Sequence, residues 1–182
     1  ARVGHSLRTL FGPRARPGAR GEATGVQVGQ RRIDATSPAF LIAEIGNNHN
    51  GDAALAKRLI DEAAAAGADC VKFQLRDMTA LYGARVEGSE DLGTEYTLDL
   101  LNRFQLSNAD LRDCIDHARG RDLTPLCTPF DIPSLELLIA WGMDAFKIAS
   151  ADLTNHGLVR AAAATVRPLI LSAGMSTEAE IR

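Results

Sequence analysis

The chain has 182 residues, 46% of them hydrophobic, with 20 Lys and Arg against 23 Asp and Glu for a formal net charge of −3. That length suits one sizeable core, and the mild acidic balance gives no general electrostatic reason to expect nucleic acid as a partner. No apolar run reaches the ~18 residues of a membrane span. The cysteines Cys70, Cys114 and Cys127 are odd in number and lack a C-x-x-C pair. They read as buried free thiols in a reducing, cytoplasmic compartment.

In chain order, the first segment stands apart. Ala1–Arg32 holds seven arginines against one acid, Glu22, and is rich in glycine. It lacks an apolar h-region, so it is not a secretory signal. Residues 1–37 are therefore expected to be a disordered Arg/Gly-rich leader, with a transit peptide or a weak anion-binding tail as alternatives. From Ala39 the pattern alternates between strands and helices. Ala39–Ile45 is a short apolar run, as for a strand buried on both faces. Ala53–Ala66 is alanine-rich with helical spacing, and Gly67 ends it. Asp69–Gln74 is the second strand. Ser107 with Asp110 resembles a capping box that opens a helix to about Arg119. Leu123–Thr128 is the third strand, and Asp131 caps a helix with Pro133 in its first turn, running to Trp141. Ala145–Ile148 is the fourth strand, Asn155 caps a helix to Thr165, and Leu169–Ser172 is the fifth. Ser176 is expected to cap a last helix. Repeated βα units imply an α/β fold with a parallel sheet, and a unit of roughly 30 residues suits a (β/α)8 barrel, here reaching about five strands. The long connection Arg76–Gln105, with Arg85, Glu87, Glu90, Asp91, Glu95 and Tyr96, reads as a lid or as solvated decoration.

Each apolar strand ends in polar groups, the place where a parallel β/α fold builds its site. Lys72 and Gln74 lie two apart on one strand and share a face. A lysine inside a barrel mouth is costly unless it meets an anion; the alternative is a structural ion pair with Glu44. Lys147 occupies the matching place on the fourth strand. Thr128, Ser150 and Ser172 put hydroxyls at three strand ends, where they suit a phosphate or carboxylate. Glu44 and Asp152 could orient substrate hydroxyls, hold metal-bound water, or act as general base. His49, among Asn47, Asn48 and Asn50, reads as a hydrogen-bonding loop residue more readily than as a ligand. His5, His117 and His156 look peripheral, and no H-x-x-x-H pair supplies a recognisable metal site.

The runs AEIGNNHNG (Ala43–Gly51), VKFQ (Val71–Gln74), CTPF (Cys127–Phe130), FKIASADLTN (Phe146–Asn155) and LSAGM (Leu171–Met175) resemble the sialic acid synthase family. That family comprises N-acetylneuraminate synthases and their legionaminate and pseudaminate relatives, and the resemblance covers Pro38 to Arg182. It implies condensation of phosphoenolpyruvate with an N-acylated amino sugar, of N-acetylmannosamine type, to a nine-carbon 2-keto sugar acid and phosphate. It implies that Lys72, Thr128, Lys147 and Ser150 hold phosphoenolpyruvate, that Ser172 frames the site, and that Gln74 contacts the substrate region. Glu44 would meet the sugar hydroxyls, and Asp152 would assist water at C2. The lysines would neutralise charge growing on the leaving phosphate. A divalent metal, Mn2+ or Mg2+, is implied for the complete enzyme, as is a homodimer. The family's metal-binding histidines come from later strands and its antifreeze-like domain lies further on; neither is in these 182 residues. The chain therefore reads as the N-terminal part of such a barrel. Two other readings remain: a class I aldolase-like barrel using Lys72 or Lys147 as a Schiff base, and a non-catalytic, partner-dependent remnant that keeps anion binding.

Overall fold

The computed structural model describes residues 25–82 and 100–181. Five parallel strands form the body: β3 (Ile42–Glu44), β4 (Cys70–Leu75), β5 (Thr124–Pro129), β6 (Phe146–Ile148) and β7 (Leu169–Leu171), side by side in that order. Between them run α1 (Ala53–Ala65), α2 (Met78–Tyr82), α3 (Asn108–Arg119), α4 (Ile132–Ala140) and α5 (His156–Ala164), and α6 (Glu178–Ile181) follows β7. The sheet curls as part of a β/α barrel, so its two faces meet different environments.

The outer face carries the larger core. Val71, Phe73 and Leu75 of β4 join Cys127, Phe146 and Ile148 against Ile60, Leu111, Ile115, Leu135, Leu138 and Leu158 of the helices. A fully buried side chain of this kind contributes roughly 1.5–3 kcal/mol, which is why α1, α3, α4 and α5 each keep an apolar stripe. Among the described residues the inner face carries its apolar packing at the end where the strands begin. There Cys70, Leu126 and Ala145 meet Val28, with Ile33, Phe40 and Ile170 around them.

Val28 belongs to an antiparallel hairpin, β1 (Val26–Val28) and β2 (Arg31–Ile33), that the arginine count of the leader conceals. The expectation of a disordered segment over 1–37 is therefore corrected for residues 25–37; residues 1–24 lie outside the described residues. Arg31 pairs with Asp69, whose other carboxylate oxygen accepts the Leu41 N–H at 2.8 Å. One carboxylate thus ties hairpin, β3 and β4 together. Gly29 makes the turn at φ +56, and a Cβ there would fall 2.4 Å from Thr124 Oγ1.

Local stop and start signals act as read. Asp131 Oδ1 accepts the Ser134 N–H, Ser107 Oγ accepts the Asp110 N–H, and Asn155 Oδ1 accepts the Leu158 N–H. Gly67 takes φ +78 after α1. Two expectations change. The run Ala39–Ile45 is not buried on both faces: β3 is an edge strand among the described residues, with Leu41 54% and Ile42 39% exposed. The last helix is capped around Thr177, not Ser176: Glu180 Oε2 accepts both the Thr177 N–H at 2.7 Å and the Thr177 hydroxyl at 2.9 Å, which is the glutamate half of a capping box. The ends of the long connection are joined by Gln105 Nε2 donating to Arg76 O at 2.8 Å. Arg85, Glu87, Glu90, Asp91, Glu95 and Tyr96 lie outside the described residues. No helix among the described residues is long and apolar enough to cross a membrane.

Candidate active site

Alternation along β4 turns Cys70, Lys72 and Gln74 to the inner face, and the register decides their neighbours. Glu44 lies beside Lys72, and Gln74 beside Thr128. Lys72 Nζ and Glu44 Oε2 form an ion pair, with the lysine side chain only 13% exposed and the glutamate 42%. The structural pairing that stood as the plainer alternative for Lys72 is thus present. Glu44 Oε1 also accepts the Gly46 N–H at 3.1 Å. Gly46 is required here by close approach: a Cβ would sit 2.9 Å from both Gln74 Cγ and Glu44 Oε1.

The loop after β3 is tightly wound. Asn47 and Asn50 adopt φ 63 and 52, and Gly51 φ 78. His49 is buried, and its Nδ1 accepts the Gly51 N–H at 3.1 Å; burial holds its pKa below the ordinary histidine value. It serves the loop. His117 pairs with Asp61 on the outer helices, away from the mouth.

Lys147 points to the same face from β6. Burial, first, and the Lys72 charge, second, hold its pKa below the ordinary lysine value, while Glu44 and Asp152 pull the other way. Those four groups therefore share one electrostatic neighbourhood. Asp152 ends a single 3-10 turn, Ser150–Asp152, and burial raises its pKa against the opposing effects of Asn155, Arg76 and Lys147. Thr128 is 2% exposed, and its Oγ1 has no hydrogen-bond partner among the described residues. A buried hydroxyl left unpaired is costly, which makes Thr128 Oγ1 a candidate to take a hydrogen-bond partner from outside the chain. Ser150 opens the 3-10 turn, and Ser172 follows β7 with its N–H donated to Ile148 O at 3.2 Å. Both stand at the same end of the sheet.

Two further residues belong to this rim. The Arg76 guanidinium lies 3.8 Å over the Phe130 ring, and Nη2 donates to Gln74 Oε1 at 2.5 Å. Sequence reasoning ended the second strand at Gln74 and missed Arg76. The signal was available: Lys72, Gln74 and Arg76 continue one alternation. Asp131 supports this corner, since its Oδ2 accepts the Asp77 N–H at 2.8 Å while Oδ1 caps α4. A cavity of about 650 Å³ adjoins this corner of the rim, lined by Arg76 and Asp77 together with residues of α2 and α4, and another of about 590 Å³ lies at the opposite end of the strands. Among the described residues no three His, Cys, Asp or Glu side chains converge to hold a metal ion. The three cysteines are free and buried, and burial pushes Cys70 and Cys127 up to about 12 and Cys114 to about 11.

Fold and site together define a parallel β/α-barrel domain with its polar groups gathered at the carboxyl ends of the strands. Comparison with known proteins makes this more specific. Residues 59–182 match the model of the NeuB family. The N,N'-diacetyllegionaminic acid synthase of Campylobacter jejuni is 36% identical over 151 residues, covering 78% of this chain and 44% of that protein. The N-acetylneuraminic acid synthetase of Leptospira borgpetersenii superposes with a TM-score of 0.77 at 32% identity, covering 87% of this chain and 53% of that one. A DAHP synthase of Thermotoga maritima, at 14% identity and a TM-score of 0.62, shares the fold. The chain belongs to the NeuB family. It spans less than half the length of the curated relatives it matches, among them pseudaminic acid and N-acetylneuraminate-9-phosphate synthases.

Proposed function

We propose that this chain carries the phosphoenolpyruvate-binding part of an enzyme that joins phosphoenolpyruvate to an N-acylated amino sugar of N-acetylmannosamine type. The observation that carries the reading is the mouth itself: Lys72 and Lys147 turned to the inner face from β4 and β6, with the Lys72 charge helping to lower the Lys147 pKa, on the same sheet face as the orphan Thr128 hydroxyl. An anion between Lys72 and Lys147 relieves the repulsion between their charges. In this reading Lys72, Lys147, Thr128 and Ser150 hold the phosphate and carboxylate, and Ser172 frames them. Lys72 exchanges Glu44 for the anion, which frees Glu44 to accept from sugar hydroxyls. C3 of phosphoenolpyruvate forms a bond to the aldehyde carbon, whose oxygen takes up a proton to become a hydroxyl; water adds at C2, and the C2–O bond to phosphate breaks as the new C2 hydroxyl gives up its proton to leave the ketone. Asp152 takes the proton from that water, a role suited to a carboxylate whose affinity for protons is raised by burial. The lysines neutralise charge on the departing phosphate. A Mn2+ or Mg2+ ion would polarise the aldehyde, and the described residues offer no three-ligand set to hold it.

The names of the relatives support a sugar-acid synthase in general. The test is to incubate the complete protein with phosphoenolpyruvate, N-acetylmannosamine and Mn2+, following phosphate release and the 2-keto acid. Phosphate release that depends on the sugar is expected; none, with no phosphoenolpyruvate binding, refutes the reading. A second reading has one observation in its favour, the lowered pKa of Lys147, which suits a Schiff-base amine. Borohydride trapping with pyruvate would mark Lys147 in that case and leave it unmodified in the first.

A further inference from the structure

We infer that Arg76 is a positioning residue that fixes the side-chain amide of Gln74 with its nitrogen as a hydrogen-bond donor to the acceptor sugar. The argument rests on the functional reading above but uses separate geometry. A guanidinium has five donors and no acceptor, so whichever amide atom faces it must be the oxygen. Arg76 Nη2 meets Gln74 Oε1 at 2.5 Å, and Asn47 Nδ2 lies 3.4 Å from the same oxygen. The rotation of the amide that would put nitrogen there sets donor against donor at Arg76, which has no acceptor to offer, while the Asn47 amide follows whichever end it meets. Nε2 therefore stays on the other side of the amide, where it has no hydrogen-bond partner among the described residues.

Arg76 is itself held. Its plane stacks at 3.8 Å on Phe130, the residue after β5, and its carbonyl accepts from Gln105. Asp131 fixes the backbone of Asp77, the next residue. The donor state of Gln74 is thus set before substrate arrives, which spares the ordering cost on binding. Gln74 is partly exposed and stands two residues beyond Lys72 toward the strand ends, on the same face. A donor there faces ligand oxygen: a hydroxyl or the acyl carbonyl of the amino sugar, on the open side of the phosphoenolpyruvate lysines. The prediction is discrimination in the acceptor, with little effect on phosphoenolpyruvate.

The test is a double-mutant cycle on steady-state kinetics of the complete protein. Arg76→Met should raise the acceptor KM roughly three- to tenfold, the worth of one misaligned hydrogen bond, with the phosphoenolpyruvate KM unchanged. Arg76→Lys, which also only donates, should recover most of the loss. In a Gln74→Met background, Arg76→Met should add nothing. Equal losses in both backgrounds, or a shift in the phosphoenolpyruvate KM instead, would overturn the assignment. If the wild type performs no condensation, the functional reading fails while the amide remains testable by NMR. The Gln74 side-chain NH2 should then be ordered in wild type and Arg76→Lys and averaged in Arg76→Met; equal mobility in all three refutes the inference.

Discussion

Replacing Lys72 by methionine removes one charge from the mouth while keeping most of its volume. The Lys72–Glu44 pair has a glutamate 42% exposed, so its loss costs the fold little, about 0–1 kcal/mol. Binding should suffer more. A charge-assisted hydrogen bond to an anion is worth about 1.5–3 kcal/mol, or roughly ten- to a hundredfold in Kd. Two effects reduce that. In the wild type the anion must displace Glu44 from Lys72, and in the variant Lys147 is released from its repulsion by Lys72. The expected loss is therefore near the lower bound, about tenfold. Isothermal titration with phosphoenolpyruvate at low salt measures it, with thermal melting as the control for folding. The Lys72→Met/Lys147→Met double variant should bind weakest and show the flattest salt dependence. An unchanged Kd in both singles and the double would refute the anion site outright.

Lys147 should titrate below an ordinary lysine by 13C NMR at Cε, and Lys72→Met should raise its midpoint; no movement would place the lysines in separate environments. The sign for stability follows. A lysine whose folded pKa lies below its unfolded value disfavours the native state while charged, so stability rises with pH from that lowered value to 10.5. Asp152 is the mirror case. Its raised pKa means that its penalty is absent below 3.8 and develops as pH climbs through the folded value. Asp152→Asn should therefore raise the melting temperature slightly at neutral pH while lowering turnover more than phosphoenolpyruvate affinity. Equal losses in turnover and affinity would make Asp152 a positioning group. Gly46→Ala forces Gln74 and Glu44 apart from a Cβ 2.9 Å away from each; a several-kelvin drop in melting temperature with weakened acceptor binding is expected, and wild-type behaviour in both would show that the contact relaxes freely.

Periodicity and caps are local, and the sequence was legible wherever one turn or one strand decides the outcome. The five strands, the helices capped by Ser107, Asp131 and Asn155, and the inward side of Lys72 and Gln74 all follow from spacing within a few residues. The hairpin at Val26–Ile33 was hidden because its valines are spaced for a strand inside a segment whose composition is dominated by arginine, and its partner surface lies on Cys70, Leu126 and Ala145, far along the chain. Exposure of β3 was hidden for a related reason: an apolar run says what a strand can pack against, and only the sheet order says what stands beside it. The site divides the same way. Its lysines and hydroxyls could be read from strand ends. The Glu44–Lys72 contact, the effect of Lys72 on Lys147, and the grip of Arg76 on Gln74 depend on register between strands and on a stack over Phe130. Hydrogen bonds act over a few ångströms and charges somewhat further, and only tertiary structure brings residues 44, 72, 76, 147 and 152 into one electrostatic neighbourhood.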